Sequence, residues 1–161
     1  MSEAMPEAVS RVARFLSEAR AEARLQEFRS GTPTADAAAE AVGCELDQIV
    51  KSLVFLCDER PILVMVPGSR RADPRKIAAA AEASSAKIAP PAVVKETTGY
   101  HVGGVAPFAL RRIETVFIDH GLLAWKLVWT GAGSDRHMAG ITPGELVRLT
   151  RARSIDACQA I

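Results

Sequence analysis

The strongest constraint on the fold is the segment Gln48–Leu56, which reads as a strand that is apolar on both faces apart from Lys51 near its start. Strands of this kind belong to sheets that are covered on both sides. No acidic residue of the segment can pair with the lysine. An unpaired buried ammonium is costly, so Lys51 needs a counter-charge, a lowered pKa or a place at the rim of the sheet.

Two interpretations of Lys51 follow from its position. The ammonium can emerge at the mouth of a cavity, where a cation is well placed to meet an anionic ligand such as a phosphate. Alternatively, the stem of the side chain covers apolar surface at a strand end while the ammonium reaches water. The segment alone favours the second interpretation, and a second segment of the chain changes that balance.

The size and composition of the chain predict one globular domain spanning residues 1–161. Of its 161 residues, 48% are apolar and 24% are charged, values that are usual for a soluble protein with a core. The net charge of +1 argues against a broad nucleic-acid interface but allows contact with one end of a nucleic acid. Three widely spaced cysteines show neither a zinc spacing nor a disulfide framework, which fits a reducing compartment. With no apolar signal core and no run long enough to span a membrane, we expect a cytoplasmic protein.

Hydrophobic periodicity and turn signals predict a mixture of helices and strands. The predicted helices are Pro6–Ala21, Ala35–Val42 capped by Thr34 and ended by Gly43, Pro74–Ala81 capped by Asp73, Pro91–Thr97 and Pro143–Leu149. The predicted strands are Leu25–Phe28, Ile49–Cys57, Ile62–Val66, Thr115–Ile118, Trp125–Trp129 and one ending at Ile141. Asp58–Pro61 is short enough to make the second and third a hairpin. The fold class is therefore mixed α/β, with a barrel-like mixed sheet and helices packed around it.

The second informative segment is the glycine-rich stretch Thr98–Phe108. Its glycines let the backbone turn and let a ligand approach peptide N–H groups, and Pro107 stiffens the exit. The spacing matches neither a Walker loop nor a dinucleotide fingerprint. A bulged connection between core elements is the other interpretation, and the loop alone favours it.

Common catalytic machinery is missing from the sequence. His101, His120 and His137 have no metal-ligand spacing, so we expect no metal. No Gly-x-Ser-x-Gly elbow and no cysteine nucleophile signature occur. A basic cluster, Arg70, Arg71, Arg75 and Lys76, is either a solvated helix face or a patch that steers phosphates.

Taken together, four short motifs resemble the YbaK/ProX family, the free-standing relatives of the editing domain inserted in bacterial prolyl-tRNA synthetases. They are Lys51 followed by Ser-Leu-Val-Phe, the Val-Pro-Gly strand end at 66–68, Thr98-Gly99-Tyr100, and Gly103-x-x-x-Pro107. Their order and spacing carry the resemblance, which runs from about Gly31 to Leu149.

The resemblance implies a deacylase that edits mischarged aminoacyl-tRNA in trans, without a cofactor. It implies that Lys51 holds the phosphate or sugar end of the tRNA acceptor and that Gly103 and Pro107 shape the amino-acid pocket. Residues 130–134, with Gly133 and Ser134, resemble a second pocket-lining loop. The expected substrate is tRNA(Pro) carrying a small amino acid such as Ala, Cys, Ser or Thr, and prolyl-tRNA synthetase is a candidate partner.

The absence of a general base agrees with this chemistry, because an aminoacyl ester is already activated. Peptide N–H groups near Gly103 and Gly104 can stabilise the oxyanion, and placement of a water and the ester can supply much of the rest. The resemblance suggests that the ribose 2′-hydroxyl positions that water. His101, Tyr100 and Ser134 are candidate hydrogen-bond donors to the amino acid. The alternatives are a non-catalytic module that binds a nucleotide or tRNA end in the same pocket, and hydrolysis of a different small ester or nucleotide.

Overall fold

The computed structural model describes residues 5–161, which form five α-helices, eight strands and two 3₁₀ turns. The helices are α1 (Glu7–Glu18), α2 (Ala35–Val42), α3 (Pro74–Ala80), α4 (Pro91–Thr98) and α5 (Pro143–Thr150). The strands are β1 (Ala23–Glu27), β2 (Val50–Cys57), β3 (Arg60–Pro67), β4 (Ala86–Ile88), β5 (Thr115–Asp119), β6 (Val128–Gly131), β7 (His137–Ile141) and β8 (Arg153–Ile155). Within this described part of the chain, no helix combines the length and the apolar character needed to cross a membrane.

The predicted hairpin is confirmed in β2 and β3, which pair antiparallel along their whole length and end with Cys57 opposite Arg60. Asp58 and Glu59 connect them with φ values of 48° and 70°. Two consecutive positive φ angles give the two-residue turn whose twist matches that of a hairpin. The hairpin is therefore tight, and it fixes which residues of β2 face each side of the sheet.

Strand β3 is buried on both of its faces. Leu63 and Met65 belong to the main hydrophobic core, and Ile62, Val64 and Val66 belong to a second core on the opposite face. All five side chains are completely inaccessible to solvent. The apolar runs of the sequence thus correctly predicted a sheet that is covered on both sides.

The strands form two sheets, of order β4-β2-β3-β5-β8 and β1-β7-β6. Because β3, β5 and β8 run parallel while the other neighbours are antiparallel, the mixed α/β prediction is confirmed. Across residues 5–161, the pairing between the sheets is one parallel bridge, Ile49 to Trp129, and they do not close into the expected barrel. Along its outer edge, β2 pairs with β4 only through its last three residues. The bridge to β6 is formed by Ile49, the residue just before β2, so no continuous ladder joins the two sheets.

The predicted helix ends of α2 and α3 are confirmed. The Thr34 side chain accepts a hydrogen bond from the Ala37 N–H at 3.1 Å, and Gly43 ends α2 with a φ of 80°. The Asp73 carboxylate accepts from the Arg75 N–H at 3.0 Å at the start of α3. These caps satisfy N–H groups that would otherwise lack partners.

Some boundaries differ from the prediction. Helix α1 ends at Glu18 and not near Ala21, and β6 begins at Val128 and not at Trp125. The shift of β6 arises because residues 120–124 form a 3₁₀ helix, which places Trp125 at its end. Strands β4 and β8 were not predicted, because three residues with exposed positions are too few to show a period.

Candidate active site

A cavity of about 420 Å³ lies beside the first residues of β2. Its wall is built from the start of α2, from β2, from α4, from the loop after α4 and from single residues of β6 and β7. The lining residues are Thr32, Pro33, Thr34, Ala35, Ala38, Ile49, Val50, Lys51, Ser52, Leu53, Val54, Ile88, Ala89, Pro91, Val94, Val102, Gly103, Val105, Gly131 and Met138. The volume is in the range of sites for small ligands.

Lys51 lies in the wall of this cavity and is half-buried. Its ammonium donates a hydrogen bond to the Arg70 carbonyl oxygen at 2.5 Å, and no carboxylate among the described residues forms an ion pair with it. Burial lowers the pKa of Lys51 below its ordinary value, and the nearby Arg71 acts in the same direction. An anion bound in the cavity would offset the cost of burying the ammonium, because a nearby negative charge favours the charged form of Lys51.

Gly103 also lines the cavity, so the structure brings the two residues of the predicted catalytic pair to one site. Its φ of 95° lies in the left-handed region, which favours glycine. The peptide N–H groups of Gly103 and Val105 donate to no acceptor within residues 5–161, whereas the Gly104 N–H donates to the His101 carbonyl at 3.0 Å. Gly103 and Val105, together with Val102, are therefore the backbone donors in this part of the wall that have no acceptor among the described residues.

The other predicted site residues lie outside the lining. Among the described residues that form the wall, none is His101, Gly104, Pro107, Gly133 or Ser134. The Gly104 carbonyl accepts from the Gly133 N–H at 2.9 Å, and a Cβ added to Gly104 would lie 2.9 Å from the Ser134 Cα. Pro107 is buried and His101 is exposed. The glycines therefore hold the two predicted loops against each other directly behind the cavity wall.

Tyr100 is a core residue and does not line the cavity. It is completely buried, and its hydroxyl donates to the Phe108 carbonyl oxygen at 2.5 Å. Burial raises its pKa, against the opposing effect of Arg11. The hydroxyl thus ties the two ends of the glycine-rich loop together.

A chain of hydrogen bonds behind the second loop was not predicted from the sequence. Ser134 Oγ lies 2.6 Å from His137 Nδ1 and accepts from the Arg136 N–H at 3.0 Å, and His137 Nε2 lies 3.3 Å from a Glu27 carboxylate oxygen. Because an ionised Glu27 carboxylate can only accept, the neutral imidazole that fits this arrangement carries its proton on Nε2, and Nδ1 then accepts from the Ser134 hydroxyl. Glu27 stands directly opposite His137 in the β1–β7 pairing, which sequence spacing cannot reveal.

The wall contains few groups that can perform acid–base chemistry. Of the described residues that line the cavity, none is Asp, Glu, His or Cys, and Lys51 is the titratable one. Ser52 Oγ is buried without a hydrogen-bond partner in residues 5–161, and the Thr32 hydroxyl donates to the Asp135 carbonyl at 3.1 Å. Most other lining side chains are apolar. Sequence analysis missed Ser52 and Thr32, although Ser52 is the neighbour of Lys51.

One group of potential metal ligands occurs away from the cavity, at Asp119, His120 and Asp156. The Asp119 oxygens accept from the N–H groups of Gly121 and Ala157, both at 2.9 Å, and Asp156 pairs with Lys76 at 2.8 Å. The carboxylates are thus engaged in holding the chain, and we assign no metal to them.

The basic cluster of the sequence is divided in the structure. Arg70 donates to the Gln159 carbonyl at 2.8 Å, and Lys76 pairs with Asp156. Arg71 and Arg75 are exposed. Of the four, Arg71 is the one whose charge acts to lower the pKa of Lys51.

Comparison with known proteins gives consistent results. The profile of the family described as "Aminoacyl-tRNA editing domain" matches residues 29–149. The chain is 32% identical to the uncharacterised protein YwhH of Bacillus subtilis, over 83% of this chain and 85% of that protein. It is 33% identical to a segment of the proline–tRNA ligase of Maridesulfovibrio salexigens, over 71% of this chain but only 20% of the ligase.

Among solved structures, the fold matches a crystal structure described as that of "a putative trans-editing enzyme for prolyl tRNA synthetase". The TM-score is 0.89 and the sequence identity is 34%, and the match covers 98% of this chain and 100% of the other. The residues matched by the family profile include every described residue that lines the cavity.

Proposed function

The chain belongs to the aminoacyl-tRNA editing domain family, and we propose that it hydrolyses the ester bond of mischarged aminoacyl-tRNA. The observation that carries this proposal is the convergence of Lys51 and Gly103 on one cavity of small-ligand size. A cation and free peptide N–H groups are the two features that an aminoacyl ester at the end of a nucleic acid requires.

In this proposal, Lys51 binds the phosphate or the ribose of the terminal nucleotide. The peptide N–H groups of Gly103 and Val105 are the candidate donors to the carbonyl oxygen of the ester, where negative charge develops during attack. A water molecule attacks the carbonyl carbon, the bond to the ribose oxygen breaks, and that oxygen takes up a proton. The products are the free amino acid and uncharged tRNA.

None of the described lining residues carries a carboxylate or an imidazole that could activate the water. We propose that the ribose 2′-hydroxyl of the substrate positions the water instead. A substrate that lacks this hydroxyl should be hydrolysed much more slowly, and undiminished hydrolysis of it would remove this step from the mechanism.

We propose tRNA(Pro) carrying a small amino acid as the substrate. The support is the similarity to a proline–tRNA ligase and to a structure described in relation to prolyl tRNA synthetase. Ala38, Val50, Val54 and Met138 make the wall largely apolar, and Ser52 offers one free hydroxyl. A synthetase cannot strongly reject an amino acid of similar size by binding alone, so a second pocket must sort the products. Action in trans, beside prolyl-tRNA synthetase, is part of this proposal.

The test is a deacylation assay on tRNA(Pro) charged in turn with Ala, Cys, Ser, Thr and Pro. We expect turnover of one or more small mischarged amino acids and little turnover of Pro. Lys51→Ala should lower kcat/KM by about 10- to 100-fold, as expected for the loss of a charged hydrogen bond. Lys126→Ala, which removes an exposed lysine, is the matched control. Equal turnover by the Lys51 variant would contradict the role of Lys51.

A non-catalytic binding module is the second candidate function, because a cation in the wall of a cavity of small-ligand size suffices for binding without hydrolysis. It would bind the acceptor end of tRNA in the same cavity, with Lys51 as the anchor. Binding of tRNA without turnover of any charged form would support this function over deacylation.

A further inference from the structure

A group of three cationic side chains surrounds Gly99, the residue that ends α4. A Cβ added to Gly99 would lie 2.4 Å from Arg11 Nη2 and 3.0 Å from Arg111 Nε, so both guanidinium groups pack onto this glycine. The Lys95 ammonium donates to the Gly99 carbonyl at 3.3 Å. Three positive charges thus meet at one backbone position, which we call the Gly99 cluster.

The Gly99 cluster has no counter-charge in the described part of the chain. None of Arg11, Lys95 and Arg111 belongs to an ion pair within residues 5–161. The neighbouring Arg112, by contrast, pairs with Glu96 at 3.1 Å. Like charges held together without an anion repel each other, and a bound anion would relieve that repulsion.

The arginine from α1 is held in place before any ligand binds. Its guanidinium carbon lies 4.5 Å above the centre of the Tyr100 ring, and Phe15 of the same helix stacks on Phe108 at 5.7 Å. Arg11 Nε and Nη2 are buried and have no hydrogen-bond partner in the described structure. Because these two nitrogens are buried, Arg11 adds positive charge behind the exposed members of the cluster and does not offer them to a ligand.

The Gly99 cluster lies close to the cavity along the chain and along α4. Val94 of α4 lines the cavity, and Gly99 is five residues further on, about 7.5 Å along the helix axis. Val102 and Gly103, just after Gly99, also line the cavity. The Gly99 cluster and the cavity therefore share α4 and the loop that follows it.

We infer that Arg111 and Lys95, with the charge of Arg11 behind them, bind backbone phosphates of the tRNA whose aminoacyl end occupies the cavity. This inference rests on the proposed function and adds a second contact region to it. Lys51 meets the terminal nucleotide, and the Gly99 cluster meets phosphates further from the ester. Arg11 lies outside the residues matched by the family profile, so the charge behind this contact comes from a part of the chain beyond the family domain.

The experiment compares Arg111→Gln and Lys95→Gln with Arg112→Gln, a control that removes the same charge from a residue already paired with Glu96. Arg111 is exposed, so its substitution should leave the fold intact. Each protein is assayed on mischarged tRNA(Pro) and on a minimal substrate, the aminoacyl ester of adenosine, over a range of salt concentrations.

We expect Arg111→Gln to lower kcat/KM for tRNA about tenfold, as for a lost charged hydrogen bond, and to reduce the dependence of log kcat/KM on log salt by about one. Turnover of the minimal substrate should be unchanged, because it carries no distant phosphate. The Arg112 control should match wild type on both substrates. Loss on both substrates alike, or no loss on tRNA, would overturn the inference.

Failure of the proposed function can be told apart from failure of this inference. If the wild-type protein hydrolyses neither substrate, the affinity for uncharged tRNA(Pro) still tests the cluster. In that measurement, weaker and less salt-dependent binding by Arg111→Gln supports the phosphate contact, and binding equal to wild type refutes it.

Discussion

Replacement of Gly131 by alanine should both destabilise the fold and disturb the cavity. Gly131 lies in the cavity wall at the end of β6, and an added Cβ would stand 2.4 Å from the Val105 carbonyl oxygen and 3.2 Å from its carbonyl carbon. Both are backbone atoms, which cannot rotate away as a flexible side chain can. Either the end of β6 or the loop at 103–107 must therefore move.

The expected cost is that of overpacking, about 1–3 kcal/mol in the free energy of unfolding. With an m-value of about 2 kcal/mol/M in urea, the midpoint should fall by roughly 0.5–1.5 M. The displaced loop should also lower kcat/KM for mischarged tRNA by about tenfold or more, because small errors in placing reacting groups are costly. Urea unfolding and single-turnover deacylation measure the two effects separately.

Gly144→Ala is the matched control for this substitution. Gly144 lies in the first turn of α5, and no heavy atom lies within 4 Å of an added Cβ. This variant should keep full activity and gain up to about 1 kcal/mol from the better helix propensity of alanine. Should the two alanine variants unfold at the same urea concentration and turn over substrate equally, the inferred contact between the two loops would be wrong.

Three further predictions concern other parts of the molecule. Lys51→Met keeps the volume of a half-buried side chain, so it should change the free energy of unfolding by less than about 1.5 kcal/mol in urea melts while kcat/KM for deacylation falls by about 10- to 100-fold. Ser134→Ala leaves His137 Nδ1 without its donor, which should cost about 1–3 kcal/mol in the same melts; an unchanged midpoint would show that this bond is not formed. The Arg148 side chain lowers the pKa of Glu145 from 4.5 to about 2, so its contribution to stability is complete above pH 4.5 and is lost as the pH falls towards 2. Thermal melts of Glu145→Gln should therefore show a flatter pH dependence in that range than wild type, and parallel curves would contradict the assignment.

The two-sheet arrangement explains why the cavity exists where it does. The larger sheet and the smaller sheet meet at one bridge, Ile49 to Trp129, directly before β2. Past that bridge the sheets are not paired, and the space beside β2 is lined by α2, α4 and the loop at 102–105. A closed barrel would have filled this space with ladder pairs and inward side chains. The lack of closure that corrects the predicted barrel is thus also the origin of the site.

Local patterns in the sequence predicted most of the elements. The hairpin of β2 and β3 followed from two apolar runs and a short polar turn, and the ends of α2 followed from Thr34 and Gly43. These features depend on side chains a few residues apart, so they can be recognised in one amino-acid sequence. The short strands β4 and β8 and the true start of β6 could not be predicted in this way, because tertiary pairing decides them.

The candidate site likewise has features that local sequence predicts and features that depend on tertiary structure. Lys51 stood out because an ammonium in an apolar strand demands an explanation, and Gly103 stood out because of its glycine-rich loop, so the sequence and its resemblance to the editing family determined which residues we propose for the site. Only the tertiary structure decided that these two share a cavity while Gly104 and Ser134 lie behind its wall, and that Glu27 faces His137. The physical reason is that residue chemistry and short-range periodicity are local properties, whereas the juxtaposition of distant residues depends on sheet register and on the packing of whole elements.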